Sequence, residues 1–383
     1  MKDIPYDVPG LWEHYVESLE KRGIEYPHVV IHGGYGKNNT GDDAILHVLI
    51  MRTRQYLPNA HITVVCHGPD NVRKWYPDVS AYHFKSFSTI RAILRSHIYI
   101  IGGGGIIDRI NTYSGYKTFK IFDMKGKFLF IAAYLAKLFG AKTNFYAIGA
   151  TSFPDPVVKL LTRRVLSQAD VVSIRDPLSL KNIRSIGVKR DLIQVLDPAL
   201  SLEPVSADVA KDVLKEWKVI KGSRPLIGLN MRYVRDKFID NEKTAAETTK
   251  LICHLIQEKG CKVLFIPISQ HPFKHYEDDL DFGRHVKKQL KQMPHFYLME
   301  KYYHPTIMMA ILGEMDFCIL VRLHAVILAF KMGIPFFAIS YDDKVSEFVK
   351  LVGQEDMMIN LADFNLSNVR ERIDVHIERL KVN

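Results

Sequence analysis

Short apolar runs alternate with segments of helical period along most of the chain. In the first half, five runs rich in β-branched and aromatic residues predict strands: HVVIH (28–32), HITVVC (61–66), HIYIIGG (97–103), TNFYAIG (143–149) and DVVSIR (170–175). Amphipathic helices fit most of the intervals, for example residues 42–57 and 156–168. This alternation predicts repeated βα units around a parallel sheet.

A second set of strands follows the polar stretch 203–224. Its members are PLIGLNMR (225–232), KVLFIPIS (262–269), DFCILVR (316–322) and IPFFAIS (334–340). The pattern therefore predicts an α/β protein with two Rossmann-like, doubly wound domains, residues 27–204 and 205–383, after an N-terminal helical extension, residues 1–26. Open α/β sheets bind ligands beyond the carboxyl ends of their strands, so we expect the two domains to face each other across a ligand cleft.

Length and composition agree with this organisation. A chain of 383 residues suits two domains. With 47% hydrophobic and 25% charged residues, the composition excludes disordered and fibrous proteins. The formal net charge of +10 favours an anionic partner: a phosphorylated small molecule, nucleic acid or an acidic membrane surface. Nucleic acid is the least supported, since the chain shows no block of like charge and no RNA-binding or zinc-finger motif.

The chain shows no signal for secretion or membrane insertion. Acidic residues interrupt the first thirty positions, and Lys137 interrupts the longest apolar stretch, residues 128–139. The four cysteines are scattered and form no CxxC pair, so we expect reduced thiols and no metal site. A cytoplasmic protein, soluble or peripheral at the membrane, is the expectation.

Glycines and two acidic residues mark the end of the first predicted strand, in HVVIHGGYGKNNTGDDAILHVLI (28–50). A loop of this kind lets the backbone approach a ligand closely. It matches neither GxGxxG nor the GK[ST] of a P-loop. Asp42 and Asp43 then open a helix, and two interpretations stay equally open: they complement the helix dipole, or they take part in catalysis.

Four glycines come after the apolar strand in IYIIGGGGIIDR (98–109). Such a run costs backbone entropy, about 0.5–1 kcal/mol per glycine in regular structure, which favours a ligand lying against Gly102–Gly105. The alternative is a tight strand-to-helix crossing in an ordinary Rossmann-like sheet.

Arg322 and His324 follow a buried strand in MDFCILVRLHAVILAFKMGIPFFAISYDDKVSEFV (315–349). They open an apolar helix that ends near Gly333. A cation at a helix N-terminus is disfavoured by the dipole, so Arg322 needs an anion or access to solvent. His324 has a second interpretation, an ordinary buried histidine satisfied by the backbone.

Taken together, these stretches resemble the polysaccharide pyruvyl transferase family. The resemblance consists of Gly-Tyr-Gly-x-x-Asn-x-Gly-Asp-Asp-Ala-Ile-Leu at 34–46, Gly-Gly-Gly-x-Ile-Ile-Asp at 102–108, Arg-Leu-His-Ala-x-Ile-x-Ala at 322–329 and Gly-Ile-Pro-x-x-Ala-Ile-x-Tyr-Asp at 333–342. Weaker echoes lie at 173–188, 197–198, 229–232 and 265–269. Two positions depart from the family: Ile107 replaces a frequent Gln, and Gly105 lengthens the glycine run.

The resemblance implies a GT-B-like pair of Rossmann domains that transfers the carboxyvinyl part of phosphoenolpyruvate to two hydroxyls of a sugar. The products are a cyclic pyruvate ketal and phosphate, and no nucleotide, cofactor or metal is needed. It implies a role in cell-surface or capsular polysaccharide biosynthesis, with the first domain on the acceptor side and the second on the donor side. The residues assigned in this way are His324, Asp42 and Asp108 for catalysis, Arg232, Arg322 and Leu323 for phosphoenolpyruvate, and Asn39, Asp43, Gly103 and Gly104 for the acceptor or its loop.

The chemistry of these residue types agrees with the reaction. Phosphoenolpyruvate carries a phosphate and a carboxylate, which arginine forks and backbone N–H groups bind well. Protonation of its methylene carbon needs a group that titrates near neutral pH, which favours His324. Asp42, Asp43 or Asp108 could accept the hydroxyl protons, and the sequence does not choose among them.

Two other functions compete. A GT-B glycosyltransferase with a nucleotide-sugar donor shares the architecture, but residues 322–342 show no clear acidic group to bind a ribose. A non-catalytic sugar- or membrane-binding relative is disfavoured by the retention of Arg322 with His324.

The segment KGKFLFIAAYLAKLFGAK (125–142) bears on the acceptor. Lysines flank an apolar helix there, which predicts weak, salt-sensitive docking on an anionic leaflet and suits a lipid-linked sugar. A crossover helix packed on the first sheet is the favoured interpretation, because a βαβ unit requires one. The two can coexist.

Overall fold

A computed structural model describes residues 4–107, 124–150, 156–271, 276 and 278–382. The chain forms two compact units. Unit 1 consists of residues 1–37 and 42–202, and unit 2 of residues 38–41 and 203–383. The short segment 38–41 thus packs with the second half of the chain. The sequence pattern divided the chain once, between residues 204 and 205, and so placed this segment in the first domain.

Unit 1 has a seven-stranded sheet in the order β3-β2-β1-β4-β5-β6-β7, and all its pairings are parallel. Its strands are β1 (His28–His32), β2 (His61–Cys66), β3 (Ser80–His83), β4 (Ile98–Ile107), β5 (Lys142–Ala150), β6 (Val171–Ile174) and β7 (Ile193–Gln194). Its helices are α1 (Leu11–Glu20), α2 (Thr40–Tyr56), α3 (Pro69–Trp75), α4 (Phe87–Leu94), α5 (Met124–Leu138), α6 (Pro156–Gln168) and α7 (Pro177–Ser185).

The core of unit 1 forms two apolar clusters, which take their residues from alternate positions of β1 and β4. Successive strand residues point to opposite faces, so the sheet is buried on both sides, as a doubly wound fold requires. Helix α1 belongs to one cluster: Trp12 and Tyr15 are buried, and the Trp12 indole stacks on Tyr56 with ring centroids 5.8 Å apart. The N-terminal helix is therefore part of the core of unit 1.

Unit 2 has a six-stranded parallel sheet in the order β10-β9-β8-β11-β12-β13. Its strands are β8 (Leu226–Asn230), β9 (Lys262–Phe265), β10 (Phe296–Leu298), β11 (Phe317–Leu320), β12 (Phe336–Ser340) and β13 (Met358–Asn360). Its helices are α8 (Ala207–Glu216), α9 (Asn241–Cys253) with a π-helical turn at His254–Glu258, α10 (Asp279–Leu290), α11 (Pro305–Gly313), α12 (Leu323–Lys331), α13 (Asp343–Leu351) and α14 (Leu366–Val382).

The predicted fold class is confirmed: both units are parallel α/β sheets wound with helices. One local expectation was wrong. The sequence pattern placed the four glycines after the strand, but Gly102–Gly105 lie within β4, which continues to Ile107. The register of β4 against β5 shifts between Gly104 and Ile107.

Candidate active site

Arg322 forms a buried ion pair with Asp279 at the carboxyl end of the second sheet. Arg322 is the N-cap residue of α12, directly after Val321 and β11, and Asp279 opens α10. The Asp279 carboxylate accepts hydrogen bonds from Arg322 Nε at 3.0 Å and Nη2 at 2.6 Å. Asp279 is fully buried. The anion that the sequence analysis requires for Arg322 is therefore present inside the protein.

Three further groups donate hydrogen bonds to the same carboxylate. Asn230, at the end of β8, and the backbone N–H groups of Ile268 and Ser269 each lie 3.1 Å from Asp279 Oδ2. Asn230 also accepts from the Arg322 backbone N–H at 3.2 Å. A buried charge is tolerated when it is paired and fully hydrogen-bonded, and this network meets that condition. Asp279 thus fixes the guanidinium of Arg322 and the chain after β9.

The chain after β9 in turn binds the segment 38–41. The Thr40 N–H donates to the Ile268 carbonyl at 2.9 Å, and the Gln270 N–H donates to the Asn38 carbonyl at 2.9 Å. Asn39 pairs with Ser269 as an antiparallel bridge. Its side-chain Oδ1 accepts from the Gly41 N–H at 3.1 Å. Asn39 therefore shapes the turn that leads into α2.

This turn brings Gly41 against the imidazole of His324, the second residue of α12. A Cβ atom on residue 41 would lie 1.9 Å from His324 Nδ1, so only glycine allows the backbone to come this close. The His324 side chain is half-buried between these elements. Leu323 opens α12, and the N–H groups of a first turn have no acceptor within their own helix. The N-terminus of α12 is consequently suited to binding an anion.

Arg232 lies beyond the end of β8 among aromatic side chains. Its Nη1 donates to the Tyr341 hydroxyl at 3.1 Å and its Nη2 to the Tyr276 carbonyl at 2.8 Å. The guanidinium carbon lies 5.0 Å from the centroid of the Tyr341 ring. Hydrogen bonding and stacking together fix the plane of the guanidinium, which a flexible lysine would not maintain.

In unit 1, the two acids at the start of α2 differ in their surroundings. Asp43 is buried, and its Oδ1 accepts from the Gly36 N–H at 2.9 Å. Asp42 is half-buried, and its carboxylate lies against Gly34 and Gly104. The hydrogen bond explains Asp43 as a support of the glycine loop, whereas Asp42 is the more accessible acid.

The glycines of β4 accommodate side chains of the loop and of α2. A Cβ on Gly102 would lie 1.9 Å from the Tyr35 hydroxyl, and one on Gly103 would lie 3.2 Å from Ile45. Gly104 has a left-handed backbone, with φ of 85°, and faces Asp42. Close packing therefore explains much of the glycine run that the sequence analysis assigned to a ligand. Asp108, the third predicted catalytic residue, lies outside the described residues.

Sequence reasoning gave no role to two buried charges. One is Asp279, in the acidic stretch YEDDLD (276–281), where its sequence context does not distinguish it from its neighbours. The other is Arg175, after β6, which pairs with Asp197 at 3.0 Å. Both residues of this second pair lie in the weaker motif echoes, at 173–188 and 197–198. The described residues contain no group of three or more His, Cys, Asp or Glu arranged to hold a metal ion.

Comparison with known families decides the class of the protein. The sequence model of the polysaccharide pyruvyl transferase family matches residues 39–343. The chain belongs to this family. The matched segment begins at Asn39, so Asp279, Arg322 and His324 lie within the part of this pyruvyl transferase that matches the family. Among curated proteins, sequence comparison finds no match for the chain.

Solved structures share the fold of this pyruvyl transferase. The UDP-GlcNAc 2-epimerase from Methanocaldococcus jannaschii is similar at 12% identity and a TM-score of 0.58, over 92% of each chain. ADP-heptose lipopolysaccharide heptosyltransferase II from E. coli is similar at 13% identity and a TM-score of 0.51, over 93% of this chain and 99% of the other. A glycosyltransferase from Rickettsia africae is similar at 12% identity and a TM-score of 0.53, over 93% of this chain and 89% of the other. At these identities the likeness shows the GT-B-like fold alone.

Proposed function

We propose that this pyruvyl transferase uses phosphoenolpyruvate as donor and forms a cyclic ketal on two hydroxyls of a sugar. The observation that carries the proposal is the pairing of a fixed cation, Arg322, with a histidine two residues later at the N-terminus of α12. Both belong to the segment that matches the family. The proposed reaction needs no nucleotide, because phosphoenolpyruvate already contains its leaving group, phosphate.

The donor would bind at the carboxyl end of the second sheet. Asp279 neutralises Arg322, so this pair alone supplies little net attraction for a phosphate and a carboxylate. The N–H groups of α12, beginning with Leu323, and the guanidinium of Arg232 supply the remaining attraction. We assign the donor to Arg232, Arg322 and Leu323 together.

His324 would act as the general acid. It transfers a proton to C3 of phosphoenolpyruvate, and C2, which acquires oxocarbenium character, is captured by the first sugar hydroxyl. The C2–O bond to phosphate then breaks, and the second hydroxyl closes the ketal at C2. The protons balance over the reaction. His324 gives one proton to C3 and regains one from the first hydroxyl, and the proton of the second hydroxyl leaves with phosphate.

The acceptor would bind through residues of the glycine loop. Asp42 follows Gly41 in the chain, and its half-buried carboxylate suits a base for a hydroxyl. Asp108 stays a second candidate, and Asn39, Gly103 and Gly104 shape the surroundings. Asp43 supports the loop through Gly36. A sugar linked to a lipid, in the cytoplasm, is the acceptor class that we favour, for a cell-surface polysaccharide.

The experiment is to incubate the protein with phosphoenolpyruvate and a panel of free, nucleotide-linked and lipid-linked sugars. Phosphate release and the new ketal methyl signal by NMR are followed together. We expect stoichiometric phosphate and methyl signals with one acceptor class, and none with His324→Gln. Transfer of a sugar from a nucleotide-sugar donor in the same panel, without use of phosphoenolpyruvate, would instead support a glycosyltransferase.

A further inference from the structure

Helices α4, α5 and α6 contain no acidic residue. Their sequences are FSTIRAIL, MKGKFLFIAAYLAKL and PVVKLLTRRVLSQ, and between them they carry seven lysines and arginines, one in α4, three in α5 and three in α6. The whole chain has 42 acidic residues against 52 basic ones. These three helices therefore contribute only positive formal charge.

The three helices form one layer on one face of the first sheet. Helix α5 packs against α4 on one side and α6 on the other. Their inward side chains join a single apolar cluster: Ile93 of α4, Phe130, Ala133 and Ala136 of α5, and Leu166 of α6. A layer that buries one side on the sheet presents its other side outward. We call this outward side the α4–α6 face.

Large apolar side chains stand exposed on the α4–α6 face. Phe87 is 89% exposed, Leu160 64%, Leu138 62% and Phe139, just after α5, 60%. Ile90 and Ile131 are also exposed. A soluble helix usually directs charged residues outward. Here the outward stripe of α5 includes Ile131 and Leu138, which lie two turns apart and therefore on one side of the helix.

The exposed charges on the α4–α6 face are basic. Arg91 of α4 and Lys159, Arg163 and Arg164 of α6 are exposed. The lysines of residues 125–142, which predicted membrane docking, do not supply this exposed charge. Lys137 and Lys142 both pair with Asp170, at 2.6 Å and 3.5 Å. The side chains of Lys125 and Lys127 lie outside the described residues.

We propose that the α4–α6 face docks on an anionic lipid bilayer. Exposed Phe and Leu residues with basic neighbours suit the boundary between acyl chains and negative headgroups. A second copy of this chain is the competing occupant. A twofold dimer would bring the same patch against itself, and a patch with cations and no carboxylate in its helices would then face like charge. Charge complementarity therefore favours the bilayer.

Sedimentation with vesicles tests the proposal, using phosphatidylglycerol with phosphatidylcholine against phosphatidylcholine alone, at low and high salt. We expect pelleting with anionic vesicles at low salt. Leu138→Ser with Phe139→Ser should weaken binding at least tenfold. Lys159→Gln, Arg163→Gln and Arg164→Gln together should weaken it by more, since each basic residue near an anionic surface is worth roughly fivefold.

Matched controls come from unit 2. Ile220→Ser with Phe238→Ser removes two exposed apolar side chains, 68% and 78% exposed, and should leave binding unchanged. Lys211→Gln, Lys243→Gln and Lys301→Gln together remove the same charge from exposed positions. Circular dichroism and thermal melting establish that each variant folds.

Three results would overturn the proposal. The first is that folded wild type does not pellet with anionic vesicles at low salt. The second is that the triple Gln variant of α6 and the triple Gln control of unit 2 lose binding equally. The third is a wild-type dimer that does not bind vesicles and that Leu138→Ser with Phe139→Ser converts to monomer. The assay measures lipid binding and not ketal transfer, so its outcome is independent of the proposed reaction.

Discussion

Gly41 and His324 are in such close contact that a Cβ atom on residue 41 would lie 1.9 Å from the imidazole Nδ1. Gly41→Ala must therefore displace either the imidazole or the turn from Asn39 to Gly41. If His324 is the general acid, we expect ketal transfer to fall by about 100-fold or more, since general acid catalysis contributes that much. Steady-state kinetics with phosphoenolpyruvate measures the effect.

Gly222→Ala is the matched control for Gly41→Ala. A Cβ on Gly222 meets nothing closer than Lys262 Nζ at 3.9 Å, so the substitution adds the same methyl group without a clash. Its activity should equal that of wild type. Full activity in folded Gly41→Ala would show that the position of His324 against this turn is not needed for the reaction.

The Asp279 carboxylate should contribute strongly to stability. Asp279→Ala leaves Arg322 buried without its main anion, and removing one partner of a buried pair costs about 3–5 kcal/mol. The control is Asp78→Ala, which breaks the ion pair between Asp78 and Arg54. The Asp78 side chain is 62% exposed, so this substitution should cost less than about 1 kcal/mol. Urea denaturation of both variants compares the two free energies of unfolding. Equal losses would contradict the structural role given to Asp279.

Arg232→Lys should weaken donor binding although the charge is kept. The guanidinium donates to Tyr341 and to the Tyr276 carbonyl and stacks on the Tyr341 ring, which an ammonium cannot reproduce. We expect KM for phosphoenolpyruvate to rise by about tenfold, as for the loss of a charged hydrogen bond. Arg54→Lys, at a half-buried arginine of unit 1 away from these aromatic residues, serves as the control. An unchanged KM in Arg232→Lys would remove Arg232 from the donor site.

His32 should make the folded protein sensitive to mild acid. Burial lowers the pKa of His32 to about 3. In the unfolded chain His32 binds a proton near pH 6.5, whereas in the folded chain it stays neutral down to about pH 3. Its contribution to the free energy of unfolding is therefore fully present above pH 6.5 and decreases as the pH falls towards 3. At pH 5 the loss is about 2 kcal/mol. Denaturation at pH 7 and pH 5 should show that His32→Gln removes this part of the loss, whereas the exposed His14→Gln should not.

The strands that sequence patterning identified are the inner ones. All nine predicted strands are present, with ends that differ by a few residues, because a strand buried on both faces is apolar along its whole length. The four that patterning missed, β3, β7, β10 and β13, are the edges of the two sheets. They contain two to four residues each, too few for a periodic pattern.

The candidate site was predictable only in part. Arg322 and His324 stand out because they follow an apolar strand and open an apolar helix. Asp279 does not, since its importance comes from contacts with Asn230 and Arg322, 49 and 43 positions away in the chain. The packing of residues 38–41 with unit 2 rests largely on backbone hydrogen bonds, which any residue type can make, and a glycine such as Gly41 does not indicate which distant residue it approaches.

The central claim is that phosphoenolpyruvate is the donor and that His324 protonates it. Isothermal titration calorimetry tests this claim most directly. Wild type and His324→Gln are each titrated with phosphoenolpyruvate and, separately, with UDP, and the turnover of both proteins is measured in parallel. We predict that both proteins bind phosphoenolpyruvate with affinities within a few-fold of each other, that neither binds UDP, and that only wild type turns over. Binding of UDP without binding of phosphoenolpyruvate, or turnover by His324→Gln within tenfold of wild type, would contradict the account.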